Sequence, residues 1–354
     1  MRIRRPKKSV LTGAVAALGV CSVVLAFIAP GVEETKVDLN DGGVWVTNAK
    51  RGIVAHVNVP ARLMDAGLHA ASSTFDVFQN GEQVQLSDQV ANTLAPIDVT
   101  TATLTSAVDY RGMTTDVRGG TIAVTDAPNG KVWAQQADHP APINADDADA
   151  SISDVPGAVT TVDLEGNVHA VSAEAGRVTS LLKRGALTDT TTTPLTGIGA
   201  TDYLQIAAVG TDVVVWDQDT STLYLPGGKT QRIDGERVVL QDTGPKTNEV
   251  LLSSPDALIR VPIGGGTPTT TPAPAAGGSP TRPVLHNKCA YAAWSVTGAF
   301  VRDCPSEADD REMVVDSLAS AEKAIFRTNR DVIVLNDIEK DGLWLPDSDM
   351  ILVD

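Results

Sequence analysis

The sequence predicts an all-β protein, a β-propeller of seven or eight blades preceded by one N-terminal transmembrane helix. Three observations carry this expectation. A strand–turn–strand phrase recurs along most of the chain, a charge-free apolar run follows a basic start, and helical periodicity is nearly absent.

The phrase is clearest in "TIAVTDAPNGKVWAQ" from Thr121, "DVVVWDQDTSTLYLP" from Asp212, "EVLLSSPDALIRVPI" from Glu249 and "DVIVLNDIEKDGLWLP" from Asp331. Four further copies begin at Gly43, Thr74, Val159 and Tyr291. Their mean separation is about 41 residues, in the range of one four-stranded propeller blade. Runs such as Val213, Val214, Val215 and Trp216 are β-branched and aromatic, suited to a strand buried on both faces. The turns use Asn80-Gly81, Asn129-Gly130 and Glu165-Gly166, which tolerate the positive φ of a tight hairpin. No such sheet buries both faces alone, so neighbours must stack, and a closed ring leaves only short edges. Whether the second hairpin and the stretch from Gln89 to Arg118 complete a blade decides between seven and eight.

All five tryptophans (Trp45, Trp133, Trp216, Trp294, Trp344) fall inside the hairpins, and are expected as wedges between blades rather than as a sugar-binding row. Asp126, Asp217 and Asp337 follow a first strand or open its turn, where a carboxylate bonds turn amides. Helical spacing appears only in Glu307 to Phe326, where Met313, Val314, Leu318 and Ala321 share a face; a short connecting helix or an irregular insertion is expected there. Gly264 to Pro283 ("GGGTPTTTPAPAAGGSPTRP") reads as a flexible connection between blades, and Leu187 to Gly197 ("LTDTTTTPLTG") as solvated slack of the same kind.

The 354 residues carry a formal net charge of −16, with 28 basic and 44 acidic side chains. Five of the basic ones crowd into "MRIRRPKK" at the start, so the rest of the chain is more acidic still. Such a surface repels phosphate backbones, which argues against nucleic-acid binding. Between the two regimes, Val10 to Ala29 runs without a charge; as a helix it spans about 30 Å, the thickness of a bilayer core. Basic flanks stay cytoplasmic. The sequence therefore divides into a cytoplasmic tail at 1–8, a signal-anchor at 9–30 and an extracytoplasmic propeller at 31–354, facing outward from the plasma membrane. A cleaved signal peptide is the alternative, although its apolar part is usually shorter and no A-x-A site closes this one. Cys21 reads as a small apolar residue within the span.

Cys289 and Cys304 remain, flanking a hairpin with "SVTG" as its turn, which places one on each strand at the open end. An even pair in an oxidising compartment reads as a disulfide. His56, His69, His139, His169 and His286 are scattered, and no nucleophile elbow, zinc-protease helix, phosphate loop or C-x-x-C occurs. "NADDADAS" (144–151) departs from a calcium loop beginning at Asp147, because Ile152 and Ala158 stand where glycine and the closing acid belong. No catalytic, cofactor or metal residue is therefore assigned, and no cofactor is expected.

"RPVLHNKCAYAAW", "FRTNRDVIVLNDIEKDGLWLP" and "GGVWVTNAKRGIVAHVNVP", with the basic start and the apolar run, resemble the N-terminal region of large actinobacterial cell-surface proteins labelled Ig-like or fibronectin type III domain proteins. The similarity runs over most of the chain and is clearest in its last 75 residues or so. It implies an anchor and a propeller-like region followed by Ig-like or fibronectin modules; the ring itself, a rigid frame edged by loops, suggests a cell-envelope protein or wall polymer as partner. The resemblance brings no catalytic residues. This chain stops at "MILVD", before those modules, as a fragment or a short form would. A structural or binding module is the expected function; an enzyme acting on cell-envelope polysaccharide is the alternative.

Overall fold

Every blade contains a strand buried on both faces, and this sets the architecture. The computed structural model describes residues 42–144, 149–184 and 187–353; the anchor expected at 9–30 lies outside them. The described residues form eight antiparallel sheets, each holding one of the eight hairpins. Blade 1 comprises Gly43–Asn48, Ile53–Asn58 and Leu63–His69, and blade 3 comprises Thr114–Arg118, Thr121–Asp126 and Lys131–Gln136. Blade 2 begins with Phe75–Asn80, Gln83–Asp88 and Thr93–Asp98; the short Thr103–Leu104 and Val108–Asp109 both pair with its third strand. The stretch from Gln89 thus completes blade 2 and supplies the first strand of blade 3, which fixes the count at eight.

Blades 4, 5, 6 and 8 are regular four-stranded sheets, starting from Val159–Val162, Leu204–Val209, Val239–Leu240 and Ala324–Asn329. In blade 7 both Ser279–Pro280 and Val284–His286 pair with Cys289–Ser295, which continues to Ala299–Asp303 and Arg311–Val314.

Alternation explains the uninterrupted apolar runs. In the second strand of blade 5, Val214 and Trp216 pack with Val250 and Leu252 of blade 6. Val213 and Val215, pointing the other way, pack with Val171 and Val178 of blade 4. In blade 8, Val332 and Val334 meet Val44 and Val46 of blade 1, while Ile333 and Leu335 meet Tyr291 and Phe300 of blade 7. Each of the eight apolar clusters joins one blade to the next, the last joining blade 8 to blade 1. The ring is closed. All five tryptophans lie in it, none more than 5% exposed.

Closure is unusual at blade 1. Seven blades line the centre with their first strands, but among the described residues blade 1 places no strand there. Among the described residues no strand pairs with the inner edge of Gly43–Asn48, and buried backbone groups demand partners. Primary amides supply them. Gln79 accepts from Trp45 N (2.8 Å) and donates to Trp45 O (3.0 Å). Asn336 accepts from Thr47 N (3.1 Å) and donates to Thr47 O (3.0 Å). Asn329 donates to Gly43 O (3.0 Å) and accepts from Gly81 N (2.8 Å). Arg327, 7% exposed, binds across the seam. Its Nε donates to Asn336 Oδ1 (3.0 Å), Nη2 to Thr47 Oγ1 (2.8 Å) and to Asp76, and Nη1 to Val77 O (3.3 Å).

Three expectations need correction. Gly264 to Pro283 does connect blades 6 and 7, but Thr269–Pro272 is the outer strand of blade 6 and Ser279–Pro280 pairs with blade 7. Leu187–Pro194, within the other stretch expected as slack, pairs over eight residues as the outer strand of blade 4. Threonine is β-branched, and an outer strand needs one paired edge rather than burial, so these polar segments still form strands. Of the short helix or irregular insertion expected in Glu307 to Phe326, the helix is absent; two 3₁₀ turns, Glu307–Asp309 and Leu318–Ser320, bracket Arg311–Val314, the outer strand of blade 7. The shared apolar face also fails, because Leu318 is buried while Val314 is 50% exposed. Among the described residues no helix is long and apolar enough to cross a membrane.

Replacing Asn336 with Leu removes the partners of Thr47 N and O together with one acceptor of Arg327. We expect Asn336→Leu to cost about 3 kcal/mol, the sum of groups left buried without bonds. The urea midpoint falls at unchanged slope; an unaltered midpoint would remove the closing role assigned to these amides.

Candidate functional site

The first strands of blades 2 to 8 surround a central channel holding two cavities, of about 590 and 610 Å³. The first is lined by the turns that follow the inner strands, including Gly119, Leu164, Lys246, Lys288 and Arg330. The second is lined by the opposite ends of those strands, including Thr115, Val159, Tyr203 and Ile325. They therefore open toward opposite faces. Both touch Arg118, Asp242 and Arg327, and at this level the channel is crossed by charge.

Six side chains from five blades make up this layer. Arg118 Nη2 donates to both carboxylate oxygens of Asp242, at 3.0 and 2.9 Å, and Arg118 Nε lies 4.0 Å from Asp116 Oδ1. Asp116 Oδ2 accepts from Val162 N at 2.8 Å. Arg327 is bound to Asp76. Arg282 sends Nε to Leu240 O (3.2 Å) and Nη2 to Gln241 O (3.2 Å), and its charge also acts on Asp242. Of the carboxylates lining the cavities, Asp76 and Asp242 are thus held by arginine, and Asp116 by the Val162 amide.

The carboxyls respond differently to this enclosure. Burial works against the Asp242 charge, but Arg118 and Arg282 outweigh it and hold its carboxyl below the usual range. At Asp116 burial wins over Arg118 and pushes the carboxyl up, with the neighbouring Asp242 charge adding to the rise. Burial also opposes the Arg118 cation, yet Asp242 and Asp116 raise it.

The sequence-predicted residues lie elsewhere. Asp126, Asp217 and Asp337 do bond turn amides: Asp126 Oδ1 accepts from Asn129 N (3.3 Å), Asp217 Oδ1 from Asp219 N (3.0 Å) and Asp337 Oδ1 from Glu339 N (3.2 Å). Cys289 and Cys304 form the disulfide, with Cα atoms 4.2 Å apart, at the open end of the blade 7 hairpin. Of the histidines, His169 is fully buried between Ser180 and Asp163, His56 pairs with Asp65, and His69 and His139 are on the surface. Only His286 reaches the channel, at the first cavity. In "NADDADAS", Ala145 to Ala148 lie outside the described residues. No channel charge was singled out from the sequence. The one signal available was a lone charge set into an apolar inner strand, as in "TFDVF" and "AIFRTN".

No protein-family model and no curated protein matches the chain. Solved structures do resemble it. NirN, a dihydro-heme d1 dehydrogenase in complex with DHE, is 9% identical, covering 92% of this chain and 75% of its own, with a TM-score of 0.59. BamB from Moraxella catarrhalis is 13% identical over 85% of this chain and 90% of its own, at 0.55. Apo AztD from Citrobacter koseri is 11% identical over 88% and 93%, at 0.54. At these identities the likeness is one of fold, and it agrees with an eight-bladed propeller.

The two carboxyls give opposite predictions. A carboxyl lowered in the fold adds stability above the usual carboxylate range, and loses it as pH falls through the lowered value. A raised one favours the fold in acid and loses that as pH rises through the raised value. Asp242→Asn should cost about 1 kcal/mol at neutral pH, cavity water screening the pair, and flatten the acid limb of stability. Asp116→Asn keeps an acceptor for Val162 N and should be neutral or stabilising at pH 7. Urea midpoints from pH 3 to 8 check this; equal losses in both variants would refute it.

Proposed function

We propose that the chain is a membrane-anchored, extracytoplasmic β-propeller acting as a structural or binding module of the cell envelope. In this reading it corresponds to the anchor and propeller region of the actinobacterial Ig-like and fibronectin type III surface proteins it resembles. It sits in the plasma membrane with its N-terminus inside and meets a wall polymer or an envelope protein through its rim. The observation that carries the binding role is the crossing layer of charge. Glycoside hydrolysis needs two carboxyl groups with separate acid and base or nucleophile roles. Here Asp76 and Asp242 are tied to Arg327 and Arg118, Asp116 is bound to the Val162 amide, and the tryptophans that would stack on sugar are packed between blades. What remains is a rigid ring presenting loops on two faces, a frame suited to recognition.

The disulfide supports the exported location, since such bonds persist in oxidising compartments. So do the basic start and the charge-free run of Val10 to Ala29. The alternative, an enzyme or enzyme-associated module acting on envelope polysaccharide, keeps one argument: NirN, of similar fold, is a dehydrogenase.

The full chain in detergent, incubated with purified wall polymer, should be retained by it without releasing new reducing ends. Release of sugar fragments would establish the enzyme reading instead. In protein taken from cells, alkylation should add mass at Cys289 and Cys304 only after reduction; modification of both without reduction would contradict export.

A further inference from the structure

The two faces of the channel differ in charge. The second cavity is balanced, its arginines Arg118, Arg282 and Arg327 facing Asp76, Asp116 and Asp242. The first shares the Arg118–Asp242 pair and Arg327, then adds Lys246, Lys288 and Arg330 with no further carboxylate in its lining. Glu82, Glu165 and Asp331 belong to the same turns but do not line it. A cationic mouth thus opens in a protein whose net charge is −16.

These cations are held in place by backbone. The loop carrying Lys246 is pinned to blade 5: Gly244 N donates to Ala208 O and Gly210 N to Gly244 O, both at 3.0 Å. Thr243 Oγ1 accepts from Ala208 N at 3.0 Å. The Lys246 stem lies over Gly210, where any side chain would strike its Cβ. Lys288 and Arg330 sit at φ of +69° and +51°, in inner turns where blades 2 and 3 use Gly81, Gly119 and Gly120 at positive φ. Long side chains adopt that conformation at a cost, so both turns keep a cation where glycine would be easier. Neither Lys246 nor Lys288 has an ion-pair partner among the described residues.

We propose that this mouth is a binding site for a small organic anion bearing two or more phosphate or carboxylate groups. A cavity of about 590 Å³ is of ligand size. Its walls join apolar Phe78 and Leu164 to the amide of Asn80, which suits an organic body with charged ends. Size selects the small ligand over an acidic macromolecule. A compact anion inside the mouth is screened from remote acids beyond about 8 Å, whereas a large acidic partner meets the acidic exterior as well. The site goes beyond the envelope-module reading and is tested without any wall or membrane partner, so either can fail alone.

Titration calorimetry on the full chain in neutral detergent, with inorganic pyrophosphate and with citrate, provides the test. Saturable binding of at least one probe is expected, weakening as sodium chloride is raised. Its preference separates a phosphate from a carboxylate ligand. The double variant Lys246→Gln, Lys288→Gln should bind at least tenfold more weakly. The double variant Lys50→Gln, Lys323→Gln, which removes equal charge elsewhere on the ring, should bind like the parent. Absence of saturable binding by both probes overturns the site, as does an equal loss in the two double variants, which would place the anion on general charge or on the basic N-terminus.

Discussion

A ring of sheets is stable only if its last blade finds the first, and among the described residues that junction is tied by side-chain amides bound to the inner edge of blade 1. A primary amide carries one donor and one acceptor side by side, as a peptide group does. Gln79 and Asn336 each bind both backbone groups of one residue on the buried inner edge of blade 1, Trp45 and Thr47. Arg327 then reaches past blade 1 from blade 8 to Asp76 on blade 2. The inner circle is thereby continuous between blades 2 and 8, although blade 1 contributes only its outer strands to the described residues. Apolar contact alone, as between Val44, Val46, Val332 and Val334, would close the ring without fixing its register. The amides fix it, because a one-residue slip would leave buried backbone groups bare.

The same logic runs through the other seven junctions in simpler form. A strand such as Asp212–Asp217 divides its side chains between two neighbours, so each sheet is core to the blades on both sides. Polar side chains again tie neighbours together: Gln205 Oε1 accepts from Leu240 N at 2.8 Å, and Asp116 binds Val162. Stability is spread around the ring, while the turns at its two faces are released from packing duty and free to vary.

This division explains what the sequence discloses. The hairpins were legible because burial on both faces writes an unbroken apolar run ending in a turn signal, as in Val213 to Trp216 before Asp217. The pairing of Cys289 with Cys304 followed from hairpin geometry, and the turn acids from their position. Outer strands were not legible: Thr269–Pro272 and Leu187–Pro194 hold themselves by one edge of hydrogen bonds, which leaves no apolar pattern. Blade 2 was ambiguous because its outer edge is made of two fragments of two residues each. The channel charges were the least visible. Asp76 and Arg327 stand 251 positions apart, and nothing along the chain announces that ring closure makes them neighbours.

The arrangement of charge also separates strength from recognition. The layer across the channel is internally neutral, three arginines against three aspartates, and its members bind one another and the backbone. Buried charge of this kind is tolerable only when paired, and once paired it exerts little field outside itself. Lys246 and Lys288 lie just beyond it, the first on a loop pinned by backbone hydrogen bonds and the second at a positive-φ position of its turn. Altering them leaves the balance of the layer untouched. The ring can therefore keep its frame while its mouth changes ligand, and a cationic mouth in an acidic surface gathers anions by focusing the field where the walls exclude water.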